Sequence, residues 1–264
     1  MKITKELIFT PDRLEVSAWT GHIPFAAWLM QILKPRVFVE LGSYYGNSYF
    51  AFCEAAVRAQ LETMCYAVDT WQGDEHAGLY DQSVFESFSS YHERYQLFST
   101  FLRTSFDEAQ QKFADGTIDL LHIDGLHTYD AVRHDFETWK PKLSDRAVVL
   151  FHDMEVRERD FGVWKLWEEL SSQYPAFSFY HSHGLGVLFF GKEIDGELKN
   201  SLLDEPPQEI QVIKDFFAHL GAQLELIAKH KRKKKKKRIK RLFEKLGVLV
   251  KNLTGNQADP RKST

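Results

Sequence analysis

Cysteine is almost missing from this chain of 264 residues: Cys53 and Cys65 are the only two. They form neither a CxxC pair nor half of a plausible zinc site, which excludes a disulfide scaffold and a cysteine metal site and leaves two buried, reduced thiols as the ordinary reading. Long apolar runs are missing as well. No stretch approaches the roughly 20 apolar residues that a membrane-spanning helix needs. Met1 to Asp12 sets Lys2, Lys5 and Glu6 among isolated apolar residues, so it has neither the apolar core nor the cleavage site of a secretory leader. The expected location is the cytoplasm. No internal repeat is visible, and with 44% hydrophobic and 14% aromatic residues the chain can bury one large core, with an appendage rather than a second full domain.

Net charge is small overall, and positive charge is concentrated in one place. The net charge is −3, yet residues 229–251 carry 13 Lys/Arg against Glu244 alone, a net of +12. Residues 252–264 add +1, which leaves −16 for residues 1–228. The body repels polyanions and the tail attracts them. Lys231 to Arg238 is an unbroken run of eight basic residues, after which Ile239, Leu242, Phe243, Leu246, Leu249 and Leu253 follow a helical stripe. That combination predicts a cationic amphipathic helix lying, through residues 229–253, on an anionic membrane surface at the inner face of the membrane. Nucleic acid is the competing partner for such a run, and the apolar stripe and the acidic body speak against it. A solvated tail is the remaining alternative.

Between these ends, short apolar runs alternate with helical periods, the mark of strands joined by crossover helices in a mostly parallel sheet. Strands are predicted from Val37, at Met64 to Val68, Leu97 to Leu102, Ile118 to Ile123 and Ala147 to Phe151. Helices are predicted at Ser48 to Gln60, Phe106 to Phe113, from Tyr129 to Trp139, and around Val163, Leu166, Trp167 and Leu170. Phe177–Tyr180 and Gly186–Phe190 are too close in sequence to pair other than antiparallel. The fold class expected is therefore α/β, a mostly parallel sheet with a C-terminal antiparallel hairpin and helices on both faces. The predicted organisation is an N-terminal helical cover at 1–36, the sheet domain at 37–194, a helical extension at 195–228 with Pro206-Pro207 as an interruption, and a basic amphipathic tail at 229–264.

Three constellations carry chemistry. The first, Glu40-Leu41-Gly42-Ser43-Tyr44-Tyr45-Gly46-Asn47-Ser48, joins a strand to a helix: Gly42 can take the tight turn and Gly46 lets the helix begin close to the sheet. A dinucleotide fingerprint has a glycine where Tyr44 stands, which argues against NAD. The second is a pair of acids at strand ends, Glu40 and Asp69, suited to an ammonium group or ribose hydroxyls. The third is Asp124 and Asp153, which end two further strands on the carboxyl edge where such sheets bind ligands, with His127 nearby. Two carboxylates suit Mg²⁺, which rarely receives a full protein cage, and His127 could then remove a proton from a bound hydroxyl. Helix capping is the structural alternative for both aspartates. His122 reads as a core histidine, and His181, His183 and Gly184 receive no role. Trp71 and His76, in a polar segment after Asp69, could fold over a cofactor, face an acceptor or lie in a solvated loop.

The run Glu40 to Ser48, then Asp69, then Leu121-His122-Ile123-Asp124-Gly125-Leu126-His127-Thr128-Tyr129, and Leu150-Phe151-His152-Asp153-Met154 together resemble the class I S-adenosylmethionine-dependent methyltransferases, in a branch associated with bacterial glycosyltransferases. The glycine loop is similar to that of catechol O-methyltransferases, and Asp124 to His127 resembles the metal-dependent sugar O-methyltransferases of macrolide biosynthesis. The resemblance spans residues 37–191 and none of the basic tail. It implies a Rossmann-like class I methyltransferase fold with S-adenosylmethionine as cofactor. Glu40, Gly42, Ser43, Gly46 and Ser48 would line its methionine and ribose part, with Asp69 on the ribose and Asp124 also at the cofactor. It implies further that Asp124 and Asp153 bind a divalent metal and that His127 is the general base. His152 stands where the metal-dependent relatives tend to carry an acid, so no third protein ligand is read. The activity implied is O-methylation of a sugar hydroxyl of a glycan or glycolipid. A phenol or other small hydroxylated metabolite as acceptor, and a non-catalytic, membrane-docking partner of a glycosyltransferase, are the alternatives.

Overall fold

The computed structural model describes residues 9–254, with side chains described as far as residue 241. The leader reading of residues 1–8 and the apolar stripe from Leu242 onward lie outside the described residues. A 3-10 turn at Ala18–His22 leads into α1 (Ile23–Leu33), followed by β1 (Val37–Leu41), α2 (Asn47–Arg58) and β2 (Met64–Asp69). Then come a two-residue hairpin, β3 (Gly73–Asp74) and β4 (Gly78–Leu79), and α3 (Gln82–His92), β5 (Ser99–Arg103), α4 (Phe106–Gln110) and β6 (Ile118–Ile123). The chain continues through α5 (Tyr129–Trp139), β7 (Leu143–His152), α6 (Val163–Ser171), β8 (Ala176–Phe179), β9 (Leu185–Phe189), α7 (Gly196–Leu202) and α8 (Pro207–Thr254).

The main sheet has seven strands in the order β5-β2-β1-β6-β7-β9-β8, and β9 alone runs against its neighbours. This is the expected class I methyltransferase sheet. Its order reverses between β1 and β6, so a crevice opens at their carboxyl ends, the place where open α/β sheets take ligands. Side-chain alternation divides the core in two. Phe38 and Leu120 face a layer built by α1, α2, α7 and α8, whereas Val39, Leu41, Leu121 and Ile123 face α4, α5 and α6.

α1 is buried on nearly every side, which a helix apolar all round requires, and packs against α2 and α8. Pro207 opens α8 rather than interrupting a helix, since at the first helical position its missing N–H costs nothing. Phe217 seats α8 on Phe25 and Trp28, with ring centroids 5.5 and 5.9 Å away. Gly221 lies so close to Gly21 that a Cβ there would strike the Gly21 carbonyl. Among the described side chains of α8, Ala228 is the last that is buried, and residues 229–241 are exposed on every face. The helix leaves the body where the basic run begins. Among the described residues no helix is long and apolar enough to cross a membrane.

Candidate active site

A cleft of about 500 Å³ lies over the switch point. One wall is the loop from β1 to α2. Gly42 has φ +87° and a Cβ on it would strike the Asp124 carbonyl, so only glycine lets the ends of β1 and β6 come together. The Asp124 N–H donates to Leu41 O at 2.9 Å, and the Gly42 N–H donates to Val68 O at 2.9 Å, tying three strand ends into one rim. Asp69 then fixes the loop. Its Oδ2 accepts from the Ser43 and Tyr44 N–H groups at 3.0 and 2.9 Å, and its Oδ1 from Trp71 N–H at 2.6 Å. Three of its roughly four acceptor positions are in use, and burial outweighs those donors and raises its pKa. Gly42, Ser43, Ser48 and Asp69 all line the cleft. The Ser43 hydroxyl is buried with no partner among the described residues.

Two residues expected at the cofactor are not on the cleft wall. Gly46 has φ +78° and sits behind the loop, where a Cβ would strike the rings of Phe50 and Phe88. Glu40 is fully buried. It shares a face of β1 with Phe38, which turns it into the layer beneath the cleft, opposite His122 in the register. Trp19 Nε1–H donates to His122 Nε2 at 3.0 Å, which leaves His122 Nδ1–H to donate to Glu40 Oε2 at 2.8 Å. Glu40 Oε1 has no partner among the described residues. His122 is thus a hydrogen-bonded core histidine.

The opposite end of the cleft holds Asp124, His127, His152 and Asp153. Neither aspartate caps a helix, because the caps of α5 and α6 are Thr128 and Gly162. Asp153 takes φ +61° as the chain leaves β7. His127 Nε2 faces Asp153 Oδ2 at 3.0 Å and Asp124 Oδ1 at 3.4 Å. His152 Nδ1 faces Asp124 Oδ1 at 3.2 Å and Asp153 Oδ2 at 3.5 Å. Burial disfavours both imidazolium ions, but the two carboxylates prevail and raise His127 to about 9 and His152 to about 10. The aspartates respond in kind. Burial would raise them, yet the two histidines hold both well below the usual carboxylate range. His127 is therefore a proton donor at neutral pH and a proton acceptor only toward pH 9.

Asp124, Asp153 and His152 bring three ligand atoms within 4.8 Å of one another. The predicted pair of metal ligands does converge, and a third donor stands beside it. That donor is an imidazole nitrogen, which does not belong to the all-oxygen shell of Mg²⁺. The donor set does not fit Mg²⁺.

The segment after Asp69 closes over the rim. Trp71 is buried, and its Nε1–H donates to Tyr44 O at 2.8 Å, so it supports the loop rather than facing an acceptor. His76 pairs with Asp160 at 2.7 Å and stacks on Phe161 at 4.4 Å, which latches the β3–β4 hairpin to the segment before α6. Ser17, Trp19 and Tyr80 also line the cleft and carry no sequence signal, and Asn47 and Phe106 line it although the sequence assigns them no site role. Asn47 bonds to Ser17 Oγ at 2.7 Å and Thr20 Oγ1 at 3.3 Å and accepts from the Glu15 N–H at 3.1 Å, contacts made only in the fold that tie the N-terminal cover to the site.

Comparison with known proteins agrees with this geometry. Residues 39–154 match a family model described as a methyltransferase domain. An uncharacterized protein of Sinorhizobium fredii, y4gI, is 53% identical over 178 residues, which is 67% of this chain and 20% of that protein, so the chain spans about a fifth of its relative's length. Among solved structures, cofactor-bound Rv0187 from MTB superposes with TM-score 0.50 at 16% identity, over 68% of this chain and 83% of that one. The O-methyltransferase TomG from Streptomyces achromogenes, involved in tomaymycin synthesis and solved with SAM, gives TM-score 0.49 at 16% identity over 72% of this chain and 91% of that one. The matched region, residues 39–154, lies within a class I methyltransferase fold.

Proposed function

We propose that the protein is an S-adenosylmethionine-dependent O-methyltransferase, with a sugar hydroxyl of a glycan or glycoconjugate as acceptor. The observation that carries the reading is the cleft itself: a switch-point crevice closed by Gly42 against Asp124 and lined by Asp69, Asp74, Asp124 and Asp153. Asp124 and Asp153 are balanced by His127 and His152, so Asp69 and Asp74 supply the negative charge that favours a sulfonium and ammonium cation and disfavours the phosphates of a dinucleotide. The sulfonium supplies an electrophilic methyl group. The Gly42–Ser48 loop, with the Ser43 and Ser48 hydroxyls, holds its methionine end, and the ribose takes the free acceptor position of Asp69, beside Thr70 and Asp74.

The chain has two tasks in the transfer. It must hold the acceptor oxygen about 3 Å from the methyl carbon and in line with the breaking S–C bond. It must also take the acceptor's proton, because the new O–C bond forms as the S–C bond breaks and the thioether leaves neutral, needing none. His127 receives that proton in its neutral form.

The glycan acceptor rests on the likeness of Asp124 to His127 to sugar methyltransferases and on the basic stretch of α8. Exposed on all faces, that stretch suits an anionic membrane surface, with each basic residue worth about 1 kcal/mol at the surface. The aromatic lining by Tyr44, Tyr80 and Phe106 favours a second reading, a phenolic acceptor. Methyl-labelled S-adenosylmethionine, offered with surface-glycan extracts and separately with simple phenols, tests both. Label in the glycan fraction is expected, label in phenols alone selects the second reading, and label in neither contradicts the activity.

A further inference from the structure

We propose that Asp124, His152 and Asp153 bind a first-row transition-metal dication, and that His152 is the ligand that turns the site away from Mg²⁺. The inference rests on the reading of this cleft as the reactive end of a methyltransferase.

The His152 ring is fixed by its other nitrogen. Nε2 lies 3.2 Å from the Ser182 carbonyl oxygen, and a carbonyl only accepts, so Nε2 carries the hydrogen and donates it. In the neutral ring Nδ1 then presents a lone pair toward Asp124 Oδ1 and Asp153 Oδ2. Once that ring is neutral, three acceptor atoms from three residues face one another, and a dication among them would take the place of the proton that the two carboxylates otherwise hold on Nδ1.

A shared proton is the simpler cation, and distance argues against it as the full account. Charge-assisted N–H···O bonds run about 2.7–2.9 Å. His183 Nδ1 meets Asp153 Oδ1 at 2.9 Å in that way. The His152 contacts are 3.2 and 3.5 Å, nearly balanced between two carboxylates. Ligand atoms about 2.1 Å from a common ion stand roughly 3.0–3.5 Å apart in cis or tetrahedral positions.

The surroundings match a ligating site too. Metal-bound imidazoles donate their second N–H to a carbonyl or carboxylate, and ligating carboxylates are themselves hydrogen-bonded. Ser182 does the first for His152, and His183 does the second for Asp153. The turn that delivers both is itself held: Ser182 and His183 have φ +50° and +69°, and Ser182 Oγ donates to Glu225 of α8 at 2.8 Å. Two carboxylates with one imidazole suit Mn²⁺, Fe²⁺, Co²⁺ or Zn²⁺.

The test is metal binding by full-length protein without an added histidine tag, read by equilibrium dialysis and by the visible absorption of Co²⁺. One equivalent of Co²⁺ is expected to bind with ligand-field bands and to resist a hundredfold excess of Mg²⁺. His152→Ala should weaken Co²⁺ at least tenfold while its circular dichroism is unchanged, and His152→Asp should restore binding with the preference moved toward Mg²⁺. Displacement of Co²⁺ by equimolar Mg²⁺, or unaltered Co²⁺ binding by His152→Ala, would overturn the proposal, as would a folded protein that binds no dication. S-adenosylmethionine binding, measured in parallel by calorimetry, separates the two readings. Metal without cofactor would sink the methyltransferase, and cofactor without metal would sink this inference alone.

Discussion

The two ends of the cleft are built from different materials. The loop end is made of backbone: Gly42 packed against the Asp124 carbonyl, and N–H groups of Ser43, Tyr44 and Trp71 gathered on Asp69. The reactive end is made of titratable side chains, Asp124, His127, His152 and Asp153, which set one another's charge. The first end is a matter of shape and tolerates no added atom. The second is a matter of protonation and should respond to pH while its shape stays fixed.

The reactive end should show the largest effect. His127→Ala is expected to lower kcat by about 10²–10⁴-fold, the usual worth of a positioned base, with little change in cofactor affinity. Because His127 accepts a proton only once its own has left, the rate of the metal-free protein should climb with pH toward about 9. A rate of the metal-free protein already flat between pH 6 and 8 would show that His127 is not the base in this setting. Next comes the loop end. Gly42→Ala should cost about 3 kcal/mol, from a left-handed φ together with overpacking. Gly78 has nearly the same φ, +81°, and nothing within 4 Å among the described residues, so Gly78→Ala should cost only about 1 kcal/mol. Equal losses of Tm in the two variants would erase the distinction between shape and strain.

The smallest effect sharpens the electrostatic side away from the chemistry. Asp135, buried in α5 beneath Gly125, has its carboxyl raised to about 7 by burial, with His134 opposing and Asp107 adding to it. The folded state therefore keeps a proton that the unfolded chain gives up near pH 4, so stability falls as pH rises from about 4 to about 7. Asp135→Asn removes that loss. It should raise stability at pH 8 and leave it unchanged at pH 4, in thermal melts at the two pH values. A gain of equal size at both would point to packing instead.

Much of the frame was legible because apolar runs stop abruptly at acids: Asp69, Asp124 and Asp153 announce strand ends on one edge, and Gly42 announces the turn. The parity of a strand was harder to read. Glu40 precedes the loop by two residues, yet its side chain turns inward to His122, and nothing local distinguishes that from facing the cleft. The polar segment around Trp71 leaves open whether it folds over a cofactor, faces an acceptor or is solvated; Trp71 is buried, since its indole N–H finds the Tyr44 carbonyl only in the folded loop. His152 was noted as a departure from relatives, but its orientation depends on the Ser182 carbonyl, thirty residues on, and a backbone acceptor has no signature in sequence.

Calorimetric titration of the wild-type protein with S-adenosylmethionine tests the central claim most directly, with NAD as the control. One molecule per chain should bind with a dissociation constant in the micromolar range, and Gly42→Ala should weaken it at least tenfold. Heat from NAD and none from S-adenosylmethionine, with the protein folded, would contradict the account.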